Sequence, residues 1–452
     1  MKKLSLIFIG AIMGISACNR PAATENTGPS PHVSWSRNAT IYEVNIRQYT
    51  PEGTFNAFEK ELPRLQKMGV DILWLMPINP LGAKNRKGSL GSYYSVRDYL
   101  AVNPEYGTKK DFIEVVKKAH ELGMKVIIDW VANHTSWDNK LISKHPEWYK
   151  KDSTGKIIAP AADLTDVAAL DYSQPGLCEY MTDALLYWIK EADIDGYRCD
   201  VAGMLPISFW HDAIPKLRQA KQIFMLAEDE KPRMHDTAYF DATYSWRLYC
   251  MMNDIAQKKK TADKIDSLFS AESRAYPPDA YRMQFTTNHD ENSWNGTEYE
   301  RLGAGARTFA VLTFTFPGIP LVYSGQESAM SKRLRFFDKD TIPWGDFPLE
   351  SFYTTLMHMK KRNDLVATGD SGGQFIKVAT SNDKAVYAFI RKKSAKQMLV
   401  ILNFSETDQS LTLKGNSFTG KYKELFTSQV KEFKAAEKIA LSPWQYLVYE
   451  SQ

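Results

Sequence analysis

The chain has 452 residues, too many for one ordinary domain, so two or three structural units are expected. Hydrophobic residues make up 44%, enough for a large core, and 57 Lys and Arg stand against 53 Asp and Glu. That near-balance, without a block of like charge, excludes the electrostatic footprint of a nucleic-acid binder.

At the N-terminus Lys2 and Lys3 precede an apolar stretch, Leu4 to Ile15, too short to span a bilayer. It runs into Ile15-Ser16-Ala17-Cys18, which resembles a bacterial lipobox. The resemblance implies a signal peptide at 1–17, cleavage before Cys18 and lipidation of its sulfur. The protein is then expected to be exported to a periplasmic or outer-membrane face, meeting the membrane only through that anchor. Ordinary secretion, with Cys18 an incidental thiol, is the alternative. Residues 18–34 contain Pro21, Gly28, Pro29 and Pro31 and read as a flexible tether. Past Cys18 only Cys178, Cys199 and Cys250 remain, with no C-x-x-C, so neither a disulfide framework nor a zinc site is expected. The three thiols are expected to be free and buried.

From residue 40 onward apolar runs alternate with amphipathic stretches. Strands are predicted at Thr40–Ile46, Ile72–Ile78, Lys125–Val131, Asp195–Val201, Ile223–Asp229, Ala238–Tyr244, Arg282–Asn288 and Ile319–Gly325. Phe55, Phe58, Leu62, Leu65 and Met68 have helical spacing, as do Phe112, Val115, Val116, Ala119 and Leu122. Eight strands joined by helices predict an α/β fold, a (β/α)8 TIM barrel over 35–370. The connection at about 133–173 is too long for a simple loop and reads as an inserted domain. After residue 370 short alternating segments at Ala385–Ile390, Met398–Leu402, Gln409–Leu413 and Tyr446–Tyr449 predict a C-terminal antiparallel β-sandwich over 371–452. Trp444 and Tyr446 are expected to pack the last strand rather than to form a sugar platform.

Three of the predicted strands run hydrophobically into an acid: Gly196-Tyr197-Arg198-Cys199-Asp200, Ile223 to Glu228, and Phe285-Thr286-Thr287-Asn288-His289-Asp290. In a parallel barrel the C-terminal ends of the strands gather the catalytic groups. A carboxylate nucleophile beside a proton-donating carboxylic acid is the equipment of a retaining glycosidase. Arg198 shares a strand face with Asp200 and is expected to lower its pKa, whereas the apolar run before Glu228 is expected to keep that acid protonated. Alternation turns Cys199 away from both, into the layer behind.

With Asp129-Trp130-Val131-Ala132-Asn133-His134, these segments resemble the sequence regions of the α-amylase family, glycoside hydrolase family 13. Gly91 to Tyr99 looks like the loop after the second strand of that family, and Pro317 to Glu327 like its eighth strand. The resemblance implies Asp200 as nucleophile, Glu228 as acid/base and Asp290 as transition-state stabiliser. It implies that Tyr94, His134, Arg198 and His289 contact the sugar; for Tyr94 a plain core aromatic is the alternative. In many members the residue at Asn133 helps bind Ca²⁺, for which Asp163 and Asp166 could supply oxygen ligands. The usual Lys-His pair is missing after Asp200, as is the Asp-x-Asn-x-Asp-Gly loop; a loop cap is the other reading of Asn133. No organic cofactor is expected, and a monomer is.

The implied function is retaining hydrolysis of α-1,4-glucosidic bonds in starch-type polysaccharides or maltooligosaccharides. Alternatives within the family are cyclomaltodextrinase- or neopullulanase-like action, α-1,6 cleavage and glucosyl transfer; a non-catalytic glucan-binding protein is the alternative outside it. Only a tether precedes Trp35, which disfavours the cyclodextrin-degrading type with an N-terminal sandwich. An endo-acting or maltooligosaccharide-releasing α-amylase is the first reading.

Overall fold

Short apolar strands set the architecture of the computed structural model, which describes residues 32–237 and 239–452. The leader and Cys18 lie outside the described residues. In chain order the first strands are β1 Ile41–Val44, β2 Ile72–Leu75, β3 Lys125–Trp130, β4 His134–Ser136, β5 Val167–Ala169, β6 Gly196–Cys199, β7 Phe224–Ala227, β8 Ala242–Tyr244, β9 Tyr281–Gln284 and β10 Ile319–Tyr323. All but β4 and β5 close into a parallel barrel in the order β1-β10-β9-β8-β7-β6-β3-β2. Both faces of these strands are buried, which is why they read as continuous apolar runs. Ile41, Ile72, Trp74, Ile127, Phe224 and Leu226 fill the barrel. Tyr42, Leu73, Val126, Ile128, Tyr197 and Cys199 face outward against the helices.

All eight predicted barrel strands are present, and each stops short of its predicted C-terminal end or starts late. Beyond Gln284, for example, residues 285–290 leave the ladder and turn toward the mouth of the barrel. The predicted helix through Phe55 and Met68 is two pieces, Phe55–Glu59 and Leu62–Met68. Pro63 opens the second piece, because a proline without an N–H suits a first turn and breaks an interior one. The helix Lys109–Glu121 starts at a reciprocal cap between Thr108 and Asp111 and buries Phe112, Val115, Val116 and Ala119.

The long connection after β3 carries β4 and β5, which pair antiparallel and return the chain to the barrel. The C-terminal part contains β11 Gln374–Val378, β12 Val386–Lys393, β13 Lys396–Asn403, β14 Gln409–Thr412, β15 Gly420–Glu424, β16 Val430–Phe433, β17 Lys438–Leu441 and β18 Tyr446–Ser451. Six of them form a sheet in the order β11-β12-β13-β18-β15-β16, and β14 pairs with β17. Their facing sides bury Val378, Ile390, Leu411, Tyr422, Phe433 and Ile439. Trp444 packs on Phe309 and Tyr446 on Phe352 and Phe426, so both rings seat the sandwich on the barrel.

One expectation about the thiols is corrected. Cys199 is buried and Cys178 half-buried, but Cys250 is exposed. It sits on the helix Trp246–Ala256, whose inward side is taken by Leu248, Met251, Met252 and Ile255. Among the described residues no helix is long and apolar enough to cross a membrane.

Candidate active site

The guanidinium of Arg198 organises the mouth of the barrel. β3 and β6 run side by side with Asp129 in register with Arg198, so both side chains point into the barrel. Arg198 Nη1 donates to Asp129 Oδ1 at 2.9 Å and to Asp200 Oδ1 at 3.1 Å, while Nη2 lies 3.0 Å from Glu228 Oε1. Its Nε donates to the Tyr244 hydroxyl at 3.1 Å, and Trp74 lies beneath it. One buried cation thus contacts acids from three neighbouring strands, Nη1 serving two of them and Nη2 the third. Just past Asp200, Val201 takes a left-handed backbone, φ 38° and ψ 43°, which a β-branched residue rarely adopts. That turn aims its N–H at Glu228 Oε2, 2.7 Å away.

A second chain of contacts holds Asp290. Glu43 on β1 accepts from His289 Nδ1 at 2.5 Å, and His289 Nε2 lies 2.7 Å from the Tyr94 hydroxyl and 3.2 Å from Asp290 Oδ2. Burial works against the imidazolium, but Asp290 and Glu43 outweigh it and hold His289 well above the ordinary histidine range. Burial likewise opposes the charge on Asp290, yet His289 and Arg198 keep its carboxyl below the usual value. Residues 291–295, which present Trp294, form a π-turn, a form that clusters at functional sites. Asp200, Glu228, Asp290, Tyr94 and His134 together line a cavity of about 650 Å³, walled by Trp294, Phe336 and Phe337. The geometry therefore brings the three predicted acids, Tyr94 and His134 to the cavity lining, while Arg198 and His289 are buried behind it, against Asp200 and Asp290.

Comparison with known proteins agrees with that geometry. The family description "Alpha amylase, catalytic domain" matches residues 34–156 and 161–394, and "Alpha-amylase SusG C-terminal domain" matches 386–448. The chain belongs to the α-amylase family. It resembles the crystal structure of a noncanonic maltogenic α-amylase from Thermotoga neapolitana, with 31% identity, a TM-score of 0.85, and coverage of 92% of this chain and 99% of that one. An α-amylase of Haloarcula japonica is 25% identical over 88% of this chain, which spans 60% of that relative's length. A cyclomaltodextrinase of Thermoanaerobacter pseudethanolicus is 25% identical over 84% of this chain and 68% of its own.

Within this α-amylase-family site, several expectations need correction. Arg198 does not leave Asp200 with a low pKa. Burial, with the charge of Glu228 next, pushes the Asp200 carboxyl well above its ordinary range, and the pull of Arg198 is the weaker influence. Glu228 is not in an apolar pocket, since it is held by Arg198 and the Val201 N–H. Burial lowers His134 to about 4, so it enters the site as a neutral ring, with the Asn133 amide 3.3 Å from its Nδ1.

Two of the three calcium candidates contact a cation of the chain itself. Lys87 Nζ donates to the Asp163 carbonyl at 2.5 Å and lies 3.1 Å from Asp166 Oδ1, while the Asp163 side chain is exposed. Asn133 is turned toward His134. Among the described residues no three His, Cys, Asp or Glu gather as metal ligands. Ca²⁺ prefers clustered carboxylate and carbonyl oxygens, and here Asp166 is paired with Lys87 while the Asp163 side chain is exposed.

Sequence reasoning missed Glu43, the role of Asp129, and the wall of Lys87, Trp294, Phe336 and Phe337. Glu43 had a signal, a lone acid inside the apolar strand Ile41-Tyr42-Glu43-Val44. Phe336 and Phe337 sit in a loop without periodicity and had none.

Proposed function

We propose that the protein is a retaining α-glucan hydrolase, cutting α-1,4-glucosidic bonds of starch-type polysaccharides or maltooligosaccharides. The observation that carries this reading is the pair Asp200 and Glu228, held 3.1 and 3.0 Å from two nitrogens of one buried guanidinium at the mouth of an aromatic cavity. The neighbouring Asp200 and Glu228 titrate as a pair, and in the reactive form Asp200 is the carboxylate that attacks the anomeric carbon while Glu228 gives its proton to the departing glycosidic oxygen. The glycosidic bond breaks as an ester bond to Asp200 forms. Glu228 then takes a proton from water, whose oxygen attacks the same carbon and releases the Asp200 carboxylate. Asp290 accepts hydrogen bonds from sugar hydroxyls that strengthen as positive charge develops on the ring. Tyr94, stacked on Phe336 at 6.2 Å and fixed by its hydroxyl, offers a flat support for that ring.

The test is reducing-sugar release from amylose. Asp200→Asn is expected to abolish it while circular dichroism stays that of the wild type; retained turnover sinks the assignment. Cyclomaltodextrinase-like action is the second reading, favoured by the similarity to a cyclomaltodextrinase. A β-cyclodextrin rate above the amylose rate would establish it. The leader supports export and anchoring at Cys18; palmitate labelling, lost in Cys18→Ala, checks that.

A further inference from the structure

A second pocket lies at the other end of the barrel from the acids. It opens where the chain enters β9 and β10, between the helix Lys264–Ala275 and the linker 369–375 that leads into β11, and has a volume of about 350 Å³. It shares no lining residue with the cavity around Asp200. Its apolar side is three rings. Between ring centres Phe269 lies 4.3 Å from Phe375 and 5.6 Å from Phe316, and Phe316 lies 5.2 Å from Phe375. Phe269 and Phe375 are half-buried, so they keep open surface where they line the pocket.

Its polar side is Arg391. Phe375 on β11 stands directly opposite Arg391 on β12, so the guanidinium shares a sheet face with the rings. Arg391 is 2% exposed, and two of its nitrogens are taken: Nε donates to the Gly373 carbonyl and Nη1 to the Thr315 carbonyl. Among the described residues Nη2 has no acceptor, and no carboxylate pairs with the group. Gly372, on the pocket wall, leaves the space beside that nitrogen open; an added Cβ there would stand 2.6 Å from Nη2. The other charges of the pocket are accounted for. Arg282 Nη2 donates to Glu272 Oε1 at 3.3 Å, and Asp370 is exposed, where water and salt screen it.

A buried cation without an acid is costly, and a ligand carboxylate would supply the missing partner while the rings cover an apolar body. One free nitrogen on one guanidinium suits a single negative charge; Glu272 and Asp370 nearby disfavour a second. We infer that this pocket is a binding site, separate from the glucan cleft, for a small carboxylic acid with a flat apolar body. The carboxylate accepts from Arg391 Nη2, and the body lies on Phe269, Phe316 and Phe375. The inference does not depend on the α-glucan reading.

The test is a ligand-observed NMR titration of the whole protein with phenylacetate, phenylacetamide and acetate. Phenylacetate is expected to bind saturably with a Kd of about 1 mM. The amide lacks the charge and acetate lacks the ring, so each should bind about tenfold more weakly or worse. Arg391→Met should weaken phenylacetate about thirtyfold. Ser273→Asp changes only an exposed helix position on the rim, and its added charge should weaken binding about fivefold. Asp200→Asn should leave binding unchanged, because the cleft is elsewhere. Absence of saturable phenylacetate binding overturns the inference, as does equal binding of the amide. Loss of binding in Asp200→Asn, or full binding in a folded Arg391→Met, overturns it too. Should Arg391→Met not fold, Ser273→Asp decides in its place, and an unchanged Kd there overturns the site.

Discussion

Asp200 sits where its charge is expensive. Burial and the neighbouring Glu228 raise its carboxyl well above the ordinary range, so the folded protein holds that proton more tightly than the unfolded chain does. Stability is therefore lost as pH rises from the ordinary carboxylate value through the raised one. Asp200→Asn removes the charge and leaves Arg198 its hydrogen bond to Asp129 and its ion pair with Glu228. Besides losing turnover, that variant is expected to be more stable at pH 7 by about 1 kcal/mol, the usual size of relief at a strained active site. Calorimetry of the two proteins at pH 7 checks this; a lower melting temperature contradicts it. Glu43 offers the complementary case. With Asp290 it holds His289 protonated above the ordinary histidine range, and the imidazolium in turn keeps Asp290 ionised. Glu43→Gln removes one of the two charges raising His289, so the alkaline limb of kcat/KM should move to lower pH, with kcat down about tenfold. A pH profile whose alkaline limb does not move would show that His289 is not the group titrating there.

At the scale of elements, the apolar strands were easy to read and their ends were not. Gly196 to Cys199 and Phe224 to Ala227 are buried on both faces, so composition alone marks them as strands. The acids that follow were legible by their position at those tips. Their electrostatics were not, because Arg198 serves Asp129 and Glu228 as well as Asp200, and that sharing exists only once β3, β6 and β7 lie side by side. The unpredicted strands β15 and β16 bury only Tyr422, Glu424 and Phe433 among exposed Lys and Glu, too few apolar positions for a period-two signal. The turn between β6 and the next helix is a further element whose exact shape depends on contact with another. An added Cβ at Gly203 would fall 1.9 Å from Asp229 Oδ2, and Asp229 Oδ1 accepts from Glu230 N at 2.6 Å. Gly203→Ala should therefore displace the tip of β7 next to Glu228. The expected result is a loss in kcat of about a hundredfold with only a small change in melting temperature, read by steady-state kinetics and thermal melts together.

For the molecule as a whole, the question is whether barrel and sandwich behave as two bodies. Their boundary is a shared core: Phe309 stacks on Phe404 at 4.6 Å, and Tyr387, Phe389, Met398 and Val400 of the sandwich belong to the same buried cluster as the barrel helices. Arg391 on β12 is fully buried at that boundary, donating to the Thr315 carbonyl of the barrel and to the Gly373 carbonyl, each at 3.0 Å. Burial alone lowers it to about 10, which leaves it charged at neutral pH. Arg362 forks onto Glu450 at 3.0 and 2.7 Å, but that pair is exposed and contributes little. A continuous apolar interface with a buried cation across it predicts one cooperative unfolding transition for residues 32–452, not two. Arg391→Ala would strand two buried carbonyls and open a cavity, costing roughly 3 kcal/mol. Because the same residues stabilise both parts, the loss should appear as a lower single midpoint in calorimetry, with activity and the far-ultraviolet signal disappearing together. A melt that splits, with the sandwich leaving first and the barrel still cutting amylose, would show instead that the catalytic barrel stands alone.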